Sequence, residues 1–357
     1  MTYLDGAIEL LRQMVRTPSP TFEEGKVTGL ISSTLDSWGV SHDVLNGNII
    51  ALCEGFDDGK PTLALDAHID TVPPCGGYSF DPFDPGEDPA VVRGLGSNDD
   101  GGSVVSMAAA FRELRTRELP FNLALCLSRE EERAGSNGAA WIYGPEGPFA
   151  GKDLRWVIIG EPTGMRAATS ERGLLVLDGE AAGVSGHAAR DEGVNALYIA
   201  LEDIAALRQH RFGRVSPTMG EVRLNVTQIE AGSAHNVIPD RCRFVVDIRP
   251  TDVYSNEEIL AELQAVCKSS LKARNLLNRA SATYPASLLM KTADTLGIET
   301  FSSPTTSNWI RTGRDSIKMG PGDSARSHHA DEYLLTSEIA GAIEGYKAFI
   351  AKLAELV

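Results

Sequence analysis

The chain has 357 residues, and its 49 acidic and 33 basic side chains give a formal net charge of −16. A chain of this length exceeds one simple core and predicts two domains. Its acidity argues against a nucleic-acid partner, which requires a concentrated basic face, and no apolar run approaches the roughly 20 residues that span a membrane.

Five cysteines, at positions 53, 75, 126, 242 and 267, are spread along the chain without a CxxC pair. This spacing argues against a disulfide framework and against a thiolate zinc site, and it is typical of proteins in a reducing compartment. The N-terminus lacks a basic segment followed by an apolar stretch, so no signal peptide is predicted. Together these features predict a cytoplasmic protein.

The first third of the chain alternates helical and strand patterns. Residues 4–17 have apolar side chains at helical spacing, and a second helix is predicted from Thr21, which has capping-box spacing to Glu24. Strands are predicted at 48–53, 62–67, 122–128 and 155–160, and a helix of small residues near 102–115. Short apolar runs separated by helices predict an α/β domain with a mainly parallel sheet that helices cover on both faces.

From about residue 171 the pattern changes to that of a small α+β unit. Strands are predicted there at 173–183, 221–232 and 241–250, and helices at 194–209 and 256–275. This β-α-β-β-α order is typical of a ferredoxin-like domain. Because the chain then returns to short elements and a C-terminal helix, we predict a first domain at 1–170 and 286–357 and an inserted domain at 171–285.

Side chains able to bind metal follow the predicted strands. His68 and Asp70 come just after strand 62–67, at a spacing that allows Asp70 to fix the orientation of the imidazole. The carboxyl ends of strands are where open α/β sheets place their ligands. The alternative is an ordinary strand end with a surface histidine and a turn aspartate.

The segment 94–103, GLGSNDDGGS, packs two aspartates between glycines at the start of a predicted helix. One aspartate in such a place can bridge two metal ions, while the glycines let the backbone come close. A tight turn with an aspartate N-cap suits the same sequence equally well.

Three consecutive glutamates, Glu130, Glu131 and Glu132, directly follow the predicted strand 122–128. Like charges crowded at a strand end are costly unless cations bind there. Adjacent glutamates also allow one side chain to bind metal while its neighbour carries a proton. A solvated loop is the alternative.

Two further candidate ligands lie later in the chain. Glu161 follows strand 155–160, and His328 lies in the loop GPGDSARSHHADEY, for which a simple helix cap is the alternative. Each segment alone is ambiguous, but together they offer His, Asp, Glu, Glu and His at separate strand or loop ends. That set suits two zinc ions with an open position for water.

The chain resembles the di-zinc aminoacylase and carboxypeptidase family that includes acetylornithine deacetylase and succinyl-diaminopimelate desuccinylase. The family's motifs occur in order over essentially the whole chain, as HIDTVPP, GLGSNDDGG, REEERAGS, IIGEPT, GVSGHAAR, AGSAHNVIPD, DIRP and SHHADEY. The resemblance implies that Asp70 orients His68 and that Glu131 is the general base. It implies two zinc ions, replaceable by cobalt, of which His68 and Glu161 hold one, Glu132 and His328 hold the other, and Asp99 bridges both.

The resemblance also assigns roles within the predicted inserted domain, which it implies is a lid and dimerisation domain. His187, in GVSGHAAR, would polarise the scissile carbonyl in the active site of the partner subunit of a homodimer. Asn236 and Arg249 would hold the substrate. From the residues alone, His187 is equally a turn histidine, and Arg249 is either a carboxylate clamp or half of a surface ion pair.

The activity that the resemblance implies is removal of the N-acyl group from an amino acid. The substrate expected is N-acetylornithine, or a variant such as N-acetylcitrulline or N-succinylornithine, in arginine biosynthesis. Leu95 and Gly101, where the family usually has Arg and Lys, and Arg190, where Pro is common, leave the exact substrate open. Succinyl-diaminopimelate desuccinylase and metallo-dipeptidase are alternatives within the class. Two alternatives lie outside this class of enzyme. One is cleavage of phosphate esters, for which the sequence has no basic phosphate cradle, and the other is an inactive metal-binding scaffold.

Overall fold

The computed structural model describes residues 2–190 and 192–357, which form two compact units. The first comprises Met1–Thr169, Thr283–Phe301 and Ser307–Val357, and the second comprises Ser170–Ala282 and Ser302–Thr306. The second unit therefore interrupts the first in the sequence, as an inserted domain does. Within the described ranges, no helix has the length and apolar character needed to cross a membrane.

The secondary structure follows the chain in a mixed order of helices and strands. The α-helices are α1 (Tyr3–Val15), α2 (Gly25–Ser37), α3 (Gly102–Leu114), α4 (Ala139–Ile142), α5 (Ala196–Gln209), α6 (Asn256–Val266), α7 (Leu288–Thr295), α8 (Trp309–Thr312) and α9 (Thr336–Leu356). The strands are β1 (Asp43–Leu45), β2 (Asn48–Leu52), β3 (Thr62–His68), β4 (Val91–Arg93), β5 (Asn122–Ser128), β6 (Leu154–Ile159), β7 (Ala167–Glu171), β8 (Leu175–Ala182), β9 (Gly186–His187), β10 (Arg223–Ala231), β11 (Val237–Ile238), β12 (Arg241–Arg249), β13 (Ser270–Ala273), β14 (Ser281–Ala282), β15 (Thr300–Ser303), β16 (Asp315–Lys318) and β17 (Tyr333–Leu335).

The first unit is built on a large sheet with the strand order β1-β2-β5-β3-β6-β16-β7, in which β15 also pairs with β7. The central strands β5, β3, β6 and β16 are parallel to one another, and antiparallel pairs flank them. All residues of β3 and β5 are buried. Strands buried on both faces are continuously apolar in sequence, which is why these segments are short apolar runs.

Helices cover this sheet on both faces. On one face, α1, α3, α7 and α9 pack against alternate residues of the central strands, around large buried side chains such as Phe111, Tyr346 and Phe349. On the other face, the short helices α4 and α8 contribute Ile142 and Trp309 to a second, smaller core. This architecture confirms the predicted α/β fold with a mainly parallel sheet.

A buried carboxylate lies on the face of the sheet that α4 and α8 cover. Asp66 in β3 is fully buried and accepts hydrogen bonds from the Tyr143 hydroxyl at 2.7 Å and from Nδ2 of Asn308 at 2.8 Å. Burial raises the pKa of Asp66 to about 6, although both hydrogen bonds oppose this rise. The two donors therefore stabilise a carboxylate that has no contact with water.

We expect Tyr143→Phe to lower the free energy of unfolding by about 1–3 kcal/mol, because buried Asp66 loses a hydrogen-bond donor. The ring of residue 143 would still stack on Phe149. Urea denaturation followed by circular dichroism measures the loss. Tyr198→Phe is the matched control, since Tyr198 is 64% exposed, and it should change stability little. Equal effects of the two substitutions would contradict the importance of the buried hydrogen bond.

The second unit contains a four-stranded antiparallel sheet with the order β10-β12-β8-β13. Helices α5 and α6 pack on one face of it. In β12, Cys242, Phe244, Val246 and Ile248 are buried in this core, and the residues between them are more exposed. Such alternation is typical of an antiparallel sheet with one solvated face. The predicted small α+β inserted domain is therefore confirmed.

The helix predicted over 256–275 is wrong in its second half. The helix α6 ends at Val266, and the residues after it form β13, which pairs with β8. Asp203 in α5 accepts the backbone N–H groups of Lys268 and Ser269 at 2.9 and 2.7 Å. These contacts turn the chain out of the helix and into the sheet.

The capping box predicted for the second helix is also wrong. The helix α2 begins at Gly25 without a side-chain cap. The hydroxyl of Thr21 instead donates to Asp70, 49 residues away, and the buried carboxylate of Glu24 binds Arg129, 105 residues away. Tertiary contacts have replaced the local hydrogen bonds that the spacing suggested.

Candidate metal centre

The carboxyl ends of three parallel strands meet at one edge of the large sheet. In the pairing register, His68 at the end of β3 lies beside Ser128 at the end of β5, and Asp66 lies beside Ile159 at the end of β6. The side chains that follow these strands therefore come to the same edge, where ligands bind in sheets of this kind.

The imidazole of His68 is buried, and its orientation is fixed. Its Nδ1 lies 2.9 Å from the backbone carbonyl oxygen of Asp70 and 3.5 Å from the Oδ1 atom of that residue. With its Nδ1 proton donated to Asp70, His68 presents Nε2 to Asp99, whose Oδ1 is 3.2 Å away. Burial lowers the pKa of His68, but the hydrogen bonds to Asp70 and Asp99 outweigh it and raise that pKa well above its usual value.

Asp70 also holds the loop that follows β5. Its Oδ1 accepts the backbone N–H of Glu131 at 3.0 Å, and its Oδ2 accepts the N–H of Glu132 at 3.2 Å and the hydroxyl of Thr21 at 2.8 Å. The Asp70 side chain is buried. It therefore connects the ends of β3 and β5, in addition to its contact with His68.

Of the three consecutive glutamates, Glu130 is bound within the protein. Its Oε2 accepts the N–H of Asn137 at 3.0 Å, and its Oε1 lies 3.2 Å from Nε of Arg129. The Arg129 guanidinium also binds the buried Glu24 at 3.0 Å. These contacts hold the loop in place, and they bind the carboxylate of Glu130 to Asn137 and Arg129 rather than to a histidine.

Glu131 and Glu132 have different surroundings from Glu130, because each faces a histidine. The Oε1 atom of Glu132 lies 3.2 Å from Nε2 of His328, and the Oε2 atom of Glu131 lies 3.9 Å from Nε2 of His68. The two glutamates predicted as ligand and base are thus the two that the structure brings to the histidines.

Asp99 lies at the centre of this group. Its Oδ1 is 3.2 Å from Nε2 of His68, and its Oδ2 is 3.7 Å from Nε2 of His328. Ligand atoms of His68, Asp99 and Glu132 all lie within 4.8 Å of one another. Two ligands of one tetrahedral zinc ion, each about 2.1 Å from the metal, are roughly 3.4 Å apart. The spacing of these ligand atoms is therefore compatible with metal binding, and Asp99 lies between the two imidazoles.

The site concentrates carboxylates away from solvent. Glu161 follows β6 and is buried. Burial raises the pKa of Glu161 well above its usual value; Lys318 opposes this rise and Asp99 adds to it. Burial likewise raises the pKa of Glu131. Carboxylates crowded in this way ionise readily only beside cations, so the set of imidazole and carboxylate donors fits divalent metal ions such as zinc.

The predicted residues of the inserted domain lie in the second unit. His187 is exposed in β9, which pairs with β11, and the carbonyl oxygen of the exposed Asn236 accepts the N–H of Ala188 at 3.0 Å. Arg249 is half-buried at the end of β12, where its Nε and Nη2 bind the carboxylate of Asp247 at 2.9 and 3.1 Å. His187 and Asn236 therefore share one short ribbon, and Arg249 forms an ion pair.

Sequence reasoning missed one carboxylate of the SHHADEY segment. Glu332 is buried and accepts the backbone N–H groups of Gly96, Asn98 and Asp99. The motif contained this residue, but no spacing rule connected it to the distant GLGSNDD segment. The same turn explains Gly101, where the family usually has Lys, because an added Cβ would lie 2.4 Å from the carbonyl oxygen of Gly96.

Comparison with known proteins gives matches over nearly the whole chain. Residues 169–275 match the M20 family's peptidase dimerisation domain. The chain is 26% identical to a probable carboxypeptidase of Aspergillus clavatus, covering 96% of this chain and 87% of the relative. It is 24% identical to succinyl-diaminopimelate desuccinylase of Xylella fastidiosa, covering 97% and 98%. It is 26% identical to acetylornithine deacetylase of Proteus mirabilis, covering 92% and 91%.

Solved structures share the fold. An M20 family metallo-carboxypeptidase from Sulfolobus solfataricus matches with a TM-score of 0.78 at 16% identity, over 98% of this chain and 99% of that chain. A dinuclear metal-binding M20 peptidase from Bacillus subtilis matches with a TM-score of 0.73 at 16% identity, over 99% of both chains.

Three observations together define a metal-dependent amide hydrolase. They are the group of potential metal ligands at the edge of a mainly parallel sheet, the match to a peptidase dimerisation domain, and the hydrolases among these relatives. The M20 peptidase family is the one that this chain resembles: residues 169–275 match its dimerisation domain, and the curated relatives align over nearly the whole chain. The family predicted from the sequence motifs is thereby confirmed.

Proposed function

We propose that this M20 enzyme removes the acyl group from the nitrogen of an N-acyl amino acid, at a centre that holds two zinc ions. The observation that carries the proposal is the carboxylate of Asp99, which lies between the imidazoles of His68 and His328. Glu131 lies beside His68 and is available as a base. Two metal positions next to such a carboxylate suit the hydrolysis of an amide.

Five side chains would hold the metal ions. We assign His68 and Glu161 to one ion, Glu132 and His328 to the other, and Asp99 to both. When bound, two zinc ions polarise the scissile carbonyl and lower the pKa of a water molecule toward 7. Cobalt accepts similar nitrogen and oxygen donors, so it is expected to replace zinc.

The side chains of the protein would move the proton and orient the reactants. Glu131, whose backbone N–H is held by Asp70, would take a proton from the attacking water and return it to the departing amine. Asp70 keeps His68 in the tautomer that leaves Nε2 available. His187 would stabilise the negative charge that develops on the carbonyl oxygen.

Asn236 and Arg249 would hold the carboxylate of the amino acid. Asp247 accepts one N–H each from Nε and Nη2 of Arg249, and Nη1 lies 3.4 Å from the Thr306 hydroxyl, so the remaining N–H groups of Nη1 and Nη2 would bind the substrate. A guanidinium already aligned by one carboxylate loses little conformational entropy when it binds another.

The substrate that we favour is N-acetylornithine or a close variant, N-acetylcitrulline or N-succinylornithine, which would place the enzyme in arginine biosynthesis. The relative named acetylornithine deacetylase supports this choice. Relatives named succinyl-diaminopimelate desuccinylase and probable carboxypeptidase make a desuccinylase or a dipeptidase the second candidate.

We further propose a homodimer that forms through the second unit, in the cytoplasm. The match of residues 169–275 to a peptidase dimerisation domain supports the dimer. All five cysteines are free thiols, two of them partly or fully exposed, which suits a reducing compartment.

Amine release tests the proposed activity. We expect enzyme loaded with zinc, and separately with cobalt, to release amine from one of N-acetylornithine, N-acetylcitrulline or N-succinylornithine, as measured with ninhydrin. Chelation should abolish the release, because the carbonyl is no longer polarised. Cleavage only of N-succinyl-diaminopimelate or of dipeptides would select the second candidate. No release from any of these compounds, with two metal ions bound, would contradict the proposal.

A further inference from the structure

A buried carboxylate outside the proposed ligand set binds the loop that carries Asp99. Glu332 is 2% exposed; its Oε1 accepts the N–H groups of Asn98 and Asp99, both at 2.9 Å, and its Oε2 accepts the N–H of Gly96 at 3.1 Å. Gly96 has a φ of 75°, a left-handed conformation that glycine adopts at no steric cost. Successive N–H groups in such a turn form a concave site for an anion, and here the anion is a side chain of the same protein.

Glu332 also belongs to the loop that carries His328. It lies four residues after His328 and directly before β17, which pairs with β4. Its own carbonyl oxygen accepts the N–H of Gly94 at 2.7 Å. Glu332 therefore joins the Asp99 loop to the His328 loop through both its backbone and its side chain.

We propose that Glu332 is a positioning residue for the metal ion assigned above to Glu132 and His328, which we call the second ion. By holding the backbone N–H of Asp99, it sets the carboxylate so that one oxygen faces His68 and the other faces His328. The inference rests on the metal centre proposed above. We place Glu332 outside the ligand set, because three of the roughly four acceptor positions of its carboxylate take backbone N–H groups.

The position needs an acceptor for each of the three backbone N–H groups as well as the right shape. Glutamine has the same size as glutamate, but its side-chain amide would turn an N–H donor toward one of the three backbone donors. We therefore expect the loop of Glu332→Gln to shift and the Oδ2 atom of Asp99 to leave its place near His328. Loss of an outer-shell partner typically weakens metal affinity by about 10- to 100-fold.

The matched control is Glu338→Gln. Glu338 lies in the first turn of α9, where its Oε2 accepts the N–H of Leu335 at 2.9 Å and binds Nη1 of Arg326 at 2.8 Å. It is therefore a partly buried carboxylate with similar hydrogen bonds in the same region of the first unit, but without a contact to the Asp99 loop in the described residues.

The experiment is a titration of metal-free protein with Co²⁺, followed by calorimetry and by the visible absorption of the bound metal. Wild type is expected to bind two ions, and Glu332→Gln is expected to bind the second one about 10- to 100-fold more weakly, with a changed spectrum. Glu338→Gln should keep both affinities and lose only thermal stability. Glu332→Asp keeps the carboxyl group, but its shorter side chain cannot reach all three N–H groups. It should therefore also bind the second ion more weakly, and it replaces Glu332→Gln in the experiment if that variant does not fold.

Wild-type affinity for both ions in a folded Glu332 variant would overturn the inference. An equal loss in Glu338→Gln would also overturn it, because the effect would then be one of general stability. Wild-type protein that binds fewer than two ions would overturn the metal centre itself, and this inference with it, so the two failures are distinguishable.

Discussion

Glu131→Gln is expected to lower kcat by about 10²- to 10⁴-fold while the metal content stays unchanged. Glutamine keeps the size of the side chain and its place beside His68, but it cannot accept a proton from the attacking water. Metal analysis and amine release, measured on the same sample, check both parts of this expectation.

Glu132→Gln is the matched control for this substitution. Both residues donate their backbone N–H to Asp70, so the two variants change neighbouring side chains on one fixed loop. Glu132 faces His328 at 3.2 Å, and its replacement is expected to reduce bound metal as well as activity. If Glu131→Gln loses metal, Glu131 is a ligand; if it keeps full activity, another group is the base.

His187→Ala is expected to lower kcat by about 10²- to 10³-fold, because the developing negative charge on the carbonyl oxygen loses a hydrogen-bond donor. His187 is exposed in a short ribbon of the second unit. The substitution should therefore leave the thermal midpoint and the metal content unchanged. Steady-state kinetics, calorimetry and metal analysis of the same preparation measure these three properties.

Mixing the two inactive variants tests whether His187 acts in the partner subunit. In a mixed dimer, the subunit with intact Glu131 would receive intact His187 from the subunit that carries Glu131→Gln. Random reassortment makes about half of the dimers mixed, each with one working site of two, so about a quarter of wild-type activity should return. No recovery after verified subunit exchange would mean that His187 does not act across the dimer.

The fold class was predictable from the sequence because the relevant signals are local. NLALCLS in β5 is a continuous apolar run because helices cover both faces of that strand. The strand predicted at 241–250 is present as β12 (Arg241–Arg249). The prediction failed at β13, since a short strand after a helix is selected by pairing with β8 rather than by its own residues.

The sequence by itself determined which segments bear candidate ligands, because side chains that follow parallel strands must share one edge of the sheet. The resemblance assigned roles to Glu131 and Glu132, but only the tertiary structure brings these two to the histidines and binds Glu130 to Arg129. It also decided the contacts of Glu332, whose carboxylate binds a backbone 233 residues away. Hydrogen bonds between segments so distant depend on the packing of the whole sheet, and no local spacing encodes them.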